Sequence, residues 1–300
     1  MKNRYAFTMI ELIFVIVIMG ILAKFGVEFL AQAYNNFILS KTNNTLQSQS
    51  ASAVELIASR LQFRIKDSII ARKTGTPSVV GYEALSSSTY GDDARVLEWI
   101  ASDIEGFRGT SLPLWSGIID LNASTATLLK SPKTDTTVLG EQIQVLSHGS
   151  GTSINDAALY FVGSNSDIDG YGWGGAITDQ NSAMHPIKAG GIDEFIPVRG
   201  DNGNNNDFAG VDIYEYYQLA WTAYSVVHSD DGDLTLHYDY QPWQGESYTD
   251  GKEALIMQNV STFRFKAIGS VVKIQVCVKS DIINGNEDGG YSLCKEKTIF

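Results

Sequence analysis

Residues 7–23 read FTMIELIFVIVIMGILA, a run of 17 positions of which only Thr8, Glu11 and Gly20 are not strongly apolar. A helix rising about 1.5 Å per residue covers roughly 25 Å over this run. Continued through Lys24 to Leu30, it passes the roughly 30 Å hydrocarbon thickness of a bilayer. Lys2 and Arg4 precede the run, so the positive-inside rule keeps that end cytoplasmic and sends the rest of the chain across. A removable secretory signal needs small residues just after its apolar core, and Leu22-Ala23-Lys24-Phe25 serves that poorly. A plain anchor has no use for Glu11, because a carboxylate costs about 2.5–3.5 kcal/mol near the centre of a bilayer. Glu11 is therefore a functional candidate in its own right.

The 300 residues are 44% hydrophobic and 11% aromatic, enough to bury a substantial core in one large domain or two small ones. Acidic residues outnumber basic ones 34 to 22, so a phosphate backbone meets net repulsion and no nucleic-acid partner is expected. Both cysteines, Cys277 and Cys294, fall near the end, separated by a polar, glycine-rich segment of a length that a disulfide can close. Such a bond needs an oxidising compartment; the alternative is two free thiols.

The stretch 6–22, AFTMIELIFVIVIMGIL, resembles the amino-terminal signature of type IV pilins and of the pseudopilins of type II secretion systems. The resemblance implies a short basic leader, removed by a membrane-embedded prepilin peptidase ahead of a Phe that the same enzyme N-methylates. A Glu stands at the fifth place after the cut. Carried over residue by residue, the cut falls between Ala6 and Phe7, the methylated amine belongs to Phe7, and the glutamate is Glu11. The family usually has Gly before the cut, where this chain has Ala6, the next smallest side chain. The resemblance also gives Glu11 its physical role: its carboxylate neutralises a charged Phe7 amine in apolar surroundings, which turns two costly charges into one compensated pair.

No proline occurs before Pro77, so a long first helix is expected. Within AVELIASRLQFRIKDSIIARK, Val54, Ile57, Leu61, Ile65 and Ile69 recur at steps of three and four, which gives one helical face to lay on a sheet. The polar stretch SKTNNTLQSQSAS before it predicts a frayed waist. DDARVLEWIASDIEGFRG reads as a short helix capped by Asp92 or Asp93 and stopped at Gly106. ALYFV at 158–162 is a short buried strand candidate. YEYYQLAWTAYSVV and LTLHYDY flank Asp231-Gly232, a tight-turn signal, and form an expected hairpin. A second hairpin turns at Gly269-Ser270, with Val272, Ile274, Val276 and Val278 inward and Cys277 outward, where it can staple a terminal loop to the sheet. The Asn/Asp/Gly-rich span 163–210 reads as a long irregular insertion. The expected architecture is α+β and pilin-like, a long N-terminal transmembrane helix packed on an antiparallel sheet. Its expected parts are a leader at 1–6, a transmembrane and filament-core helix at 7–30, the periplasmic half of that helix at 31–73, and a globular head at 74–300.

Asn165, Asp167, Asp169 and Gly170 reproduce the first half of a calcium-loop spacing, but Ala176 stands where the bidentate Glu belongs. Asn284, Asn286, Asp288 and Gly289 repeat the half-pattern with Lys295 at its twelfth place. Calcium is thus a candidate at Asn165, Asp167 and Asp169, and no other cofactor is expected. His148, His185, His228 and His237 lack zinc spacing and read as surface or turn residues. No nucleophile elbow or phosphate loop occurs, so no enzymatic activity is expected.

The stretches SAVELIASRLQFRIKDSI and EALIMQNVSTFRFKAIGSVVKIQVCVK resemble the J-type minor pseudopilins and W-type minor pilins, whereas K-type tip subunits typically lack the glutamate retained here as Glu11. The resemblance implies a structural subunit of a type II secretion pseudopilus, anchored once in the bacterial inner membrane with its head in the periplasm. Expected partners are other minor and major pseudopilins or pilins, the prepilin peptidase and the inner-membrane assembly platform. The alternative is a minor type IV pilin or adhesin-like tip subunit whose head binds a ligand.

Overall fold

The computed structural model describes residues 8–73, 81–164, 166–200, 206–280 and 291–300. A single helix, α1 (Met9–Leu61), spans 53 residues and so extends roughly 80 Å. It begins at a capping box in which Thr8 is the N-cap and Glu11 the third helical residue. Its two halves obey different rules. Up to Thr45 no side chain is buried, and the apolar residues cover all sides. From Leu46 a stripe of Leu46, Ser50, Ala53, Val54, Ile57, Ala58 and Leu61, spaced three and four apart, is buried. The first pattern suits a helix surrounded by lipid or by other helices, the second a helix with one face on a sheet.

The expectation of one helical segment through 31–73 is corrected here. The polar stretch 40–52 is continuously helical, and the helix ends at Leu61. Arg64 Nη1 donates to the Leu61 carbonyl at 3.0 Å and satisfies one of the end carbonyls. The chain then turns extended at Ile65, passes one 3-10 turn (Lys66–Ser68) and enters strand β1 (Ile70–Arg72). Ile65 and Ile69 are buried as expected, yet they leave the helical face and enter two different core clusters.

The strands that follow are β2 (Tyr82–Ala84), β3 (Val96–Ala101), β4 (Leu129–Lys130), β5 (Ala158–Phe161), β6 (Met184–Ala189), β7 (Glu194–Pro197), β8 (Tyr217–Ala220), β9 (Thr222–His228), β10 (Leu234–Tyr238), β11 (Lys252–Met257), β12 (Val260–Ile268), β13 (Val271–Ser280) and β14 (Tyr291–Ile299). All their pairings are antiparallel. One sheet has the order β11-β10-β9-β3-β1-β2, a second β12-β13-β14, and a third β4-β7-β6-β5-β8. The buried stripe of α1 shares a core with Val272, Ile274, Val276, Val278 and Ile299 of the second sheet and with Leu97, Trp99 and Val226 of the first.

Strand β3 pairs directly with β9, Val96 opposite Val227 and Ala101 opposite Thr222. Everything between them, residues 102–221, is an inserted unit. It carries the third sheet, the short helix α2 (Ile104–Arg108), the helix α3 (Thr136–Leu146) and its own core around Leu139, Leu159, Phe161, Phe195 and Leu219. The insertion is thus larger and more ordered than the irregular span read at 163–210, because β6 and β7 lie inside that span.

Two hairpins stand where their turn residues place them. β9 and β10 reverse through Gly232 at φ 86°, a conformation glycine reaches without steric cost, and β12 and β13 reverse at Gly269-Ser270. Val272, Ile274, Val276 and Val278 form the inner face as read. The segment read as a helix from Asp92 is corrected. Residues 96–101 form the fully buried strand β3, and the helix that follows is only α2, capped by Asp103. The carboxy-terminal segment read as a stapled loop is also a strand, β14, in register with β13 over nine residue pairs.

Candidate functional site

The amino-terminal end of α1 carries the chemistry singled out in the sequence. Glu11 Oε2 accepts from the Thr8 backbone N–H at 3.0 Å and from Thr8 Oγ1 at 2.8 Å. Thr8 was not singled out, although its Thr-x-x-Glu spacing ahead of an apolar run is a legible capping signature. Ala6 and Phe7 lie outside the described residues. Beyond Glu11, large side chains such as Ile13, Phe14, Ile16, Phe25, Phe29, Leu30 and Tyr34 are all exposed. Met9–Leu61 is by length and composition apolar enough to cross a membrane, with a mean hydropathy of 2.4 over its most apolar window. Lys24 and Glu28 form an exposed i,i+4 pair at 3.9 Å within this stretch.

The head grips the other half of the helix. Lys297 on β14 pairs with Glu55. Arg60 Nη1 donates to Tyr224 Oη at 3.0 Å, its guanidinium carbon 5.4 Å from that ring's centroid. Arg64 Nη2 donates to the Ser270 carbonyl at the β12–β13 turn. The head is thereby fastened to the second half of α1, and the first half is left bare.

Cys277 and Cys294 are bonded to each other, with 4.0 Å between their Cα atoms. They are direct cross-strand neighbours on β13 and β14, so the bond joins two strands already in register. Cys277 alternates with Lys273, Gln275 and Lys279 as expected, but it is buried rather than outward in solvent.

Below the helix, Arg72 Nε meets Glu98 Oε1 at 2.5 Å with both side chains buried, and Tyr240 Oη donates to Glu98 Oε2 at 3.1 Å. Burial pushes the Glu98 carboxyl up, opposed by Arg72 and by the bond from Tyr240. At the neck of the inserted unit, buried Asp103 accepts from Trp115 Nε1 at 3.1 Å, Trp221 Nε1 at 3.3 Å and the Gly106 N–H at 3.2 Å. It thereby ties the start of the unit to its end, and burial pushes its carboxyl up to about 6.

Of the calcium candidates, Asn165 lies outside the described residues, as do Asn284, Asn286, Asp288 and Gly289. Asp169 accepts from Tyr82 Oη at 2.7 Å, and Asp167 accepts from the Asp169 N–H at 3.3 Å. Asp167 thus serves the local turn, and Asp169 ties that turn to β2. Among the described residues, no group of three or more His, Cys, Asp or Glu side chains is placed to hold a metal ion.

The histidine reading is corrected at two positions. His185 is buried against Phe161 and Phe208, with ring centroids 4.7 Å and 5.8 Å away, and desolvation lowers it to about 4. His228 is buried with Nε2 at 2.9 Å from the Val260 carbonyl.

Residues 1–23 match the family model described as the prokaryotic N-terminal methylation motif. No curated protein and no solved structure matches the chain. That motif, the bare apolar half of α1, and the antiparallel head seated on its other half make this chain a pilin-like structural subunit.

Proposed function

We propose that the chain is a minor pseudopilin of a type II secretion system, most like the J type, that helps initiate or cap a periplasmic pseudopilus. The observation that supports this is the division of α1 into a bare apolar half and a half clamped by the head. Such a rod can leave the bilayer only by exchanging lipid for the apolar helices of other subunits, because water is the costly alternative for so many exposed side chains. In this reading a membrane prepilin peptidase cuts between Ala6 and Phe7 and methylates the Phe7 amine. The head of the protein stands in the periplasm and its amino terminus at the cytoplasmic face.

The capping box deepens the role of Glu11. Thr8 already supplies two donors to its carboxylate, so the acid enters an apolar bundle with part of its hydrogen-bonding capacity filled. The Phe7 amine of a neighbouring subunit supplies the compensating charge and fixes axial register. The partners in this reading are I- and K-type minor subunits, the major subunit and the inner-membrane assembly platform. The size of the head favours a place at or near the filament tip, since so bulky a unit packs poorly along a tight helical array.

A second reading, a minor type IV pilin with a ligand-binding head, is favoured by the inserted unit at 102–221, which has its own core and is not needed to clamp the helix. The test of the first reading is Glu11→Gln in a cell that makes the filament. The expected result is loss of the protein from sheared or cross-linked filament fractions at unchanged membrane level; undiminished incorporation contradicts it.

A further inference from the structure

The second sheet ends in an open edge. β14 runs nine residues (Tyr291–Ile299), roughly 30 Å, and pairs with β13 on one side only. Cys277 and Cys294 stand opposite each other with Cα atoms 4.0 Å apart, the spacing of a non-hydrogen-bonded antiparallel pair. In agreement, Lys279, two residues along β13 from Cys277, gives its N–H to the Asn259 carbonyl on the side of β12. By alternation Ser292, Cys294, Glu296 and Thr298 turn their N–H and C=O groups away from β13, and among the described residues none of these groups has a backbone partner.

Proteins ordinarily blunt such edges with short strands, bulges, proline or lysine. The other edges of this fold are blunted: β2, β4 and β8 have three, two and four residues, and the ladders of β11 and β12 carry register shifts. β14 is long, unbroken in register and free of proline. Its lysines, Lys295 and Lys297, lie with Leu293 and Ile299 on the face toward α1, where Lys297 pairs with Glu55. On the opposite face Glu296 pairs with Lys273 at 2.9 Å. Lys295 has no carboxylate partner among the described residues.

A second copy of the chain is a poor occupant of this edge. Outward groups must meet outward groups, and in the two registers with the longest overlap either Lys295 faces Lys295, or Glu296 faces Glu296 with Lys295 against Lys297. Like charges directly opposite one another destabilise a strand pair. We infer that the β14 edge takes an extended segment of a different protein as a fourth, antiparallel strand of the second sheet, with an acidic side chain opposite Lys295 and apolar ones opposite Leu293 and Ile299. Main-chain groups repeating at strand spacing call for another strand, and the side chains beside them set its composition. Lys295 meets the incoming strand in a non-hydrogen-bonded pair, the arrangement that brings side chains closest. The inference does not rest on the filament reading, because the edge belongs to the head and not to the bare half of α1.

The test uses the full chain in detergent micelles and the fluorescein-labelled peptide Val-Thr-Ser-Thr-Glu-Thr-Val, capped at both ends, which sets Glu opposite Lys295 and Val opposite Leu293 and Ile299. Fluorescence anisotropy is expected to show binding that weakens about fivefold when the peptide's Glu is replaced by Lys. Methylation of the three Thr nitrogens, which face β14, is expected to weaken it about tenfold or more, and methylation of the Ser and Glu nitrogens, which face away, to change it little. Lys295→Glu is expected to reverse the preference between the Glu and Lys peptides. Glu296→Pro, which removes an outward N–H and no ladder bond, is expected to abolish binding with an unchanged circular dichroism spectrum. Absence of binding, equal loss from either methylation pattern, an unreversed preference in the Lys295→Glu variant, binding indifferent to Glu296→Pro, or a dimer of the full chain that Glu296→Pro dissolves overturns the inference.

Discussion

Arg72 and Glu98 face each other at 2.5 Å across the β1–β3 pair, both buried, and Tyr240 closes the remaining oxygen of the carboxylate. Glu98→Ala leaves a cation buried without compensation and is expected to cost about 3–5 kcal/mol, whereas the double replacement Arg72→Met with Glu98→Leu costs far less. Urea unfolding of both variants measures this. Equal losses in the two would show that packing, not charge, is what Glu98 contributes.

The contact between helix and head has a sharp internal control. Ile57 is fully buried beneath the sheet, while Leu56 beside it is 41% exposed. Ile57→Ala is expected to lose about 2–5 kcal/mol and Leu56→Ala no more than about 0.5 kcal/mol. A comparison of thermal unfolding midpoints separates the two positions.

The Cys277–Cys294 bond crosses between strands that already pair along their length. Its reduction is expected to lower stability by about 3 kcal/mol while β14 keeps its place. Unfolding with and without reductant gives the first quantity, and amide exchange at residues 292–299 of the reduced protein gives the second. Rapid exchange throughout that strand would show that the bond, rather than the ladder, holds it.

His185 makes the fold sensitive to acid. Its folded value of about 4 lies below the usual imidazole value of 6.5, so the unfolded chain binds the proton first and stability falls as pH drops between those limits, by on the order of 3 kcal/mol. Asp103 works in the opposite direction: its value is raised to about 6 from 3.8, so its contribution falls as pH rises through that interval. The variant His185→Phe isolates the first effect. Relative to the unsubstituted chain, it is expected to gain about 3 kcal/mol on going from pH 7 to pH 4; parallel pH profiles would contradict the assignment.

The elements legible from sequence were those whose local signals agreed with their surroundings. Asp231-Gly232 and Gly269-Ser270 each sit between alternating runs with one buried face, and both hairpins stand there. The sequence of β3 reads as a helix because Val96, Leu97, Trp99 and Ile100 are buried on both sides of the sheet. A strand with two buried faces has no period-2 pattern, and the acidic residues before it mimic a helix cap. β14 is not legible as a strand because its helix-facing positions include Lys295 and Lys297, whose charged ends mask a pattern that Leu293 and Ile299 begin and end. The helix ends earlier than its pattern suggests because Ile65 and Ile69 keep its spacing while belonging to separate cores. At the candidate site Glu11 was legible as an acid where a plain anchor needs none. Its partner Thr8 was legible only through the capping spacing, and the burial of His185 depends on Phe208, distant in sequence, which no local pattern announces.

The central claim is that this chain is processed as a pilin-like precursor and then assembled through its bare helix. Intact mass of the protein extracted from membranes of a cell that carries a prepilin peptidase tests it most directly. The account predicts a chain that lacks residues 1–6 and carries one methyl group on the amine of Phe7. A product that still begins at Met1, or one cut beyond Glu11, would contradict it.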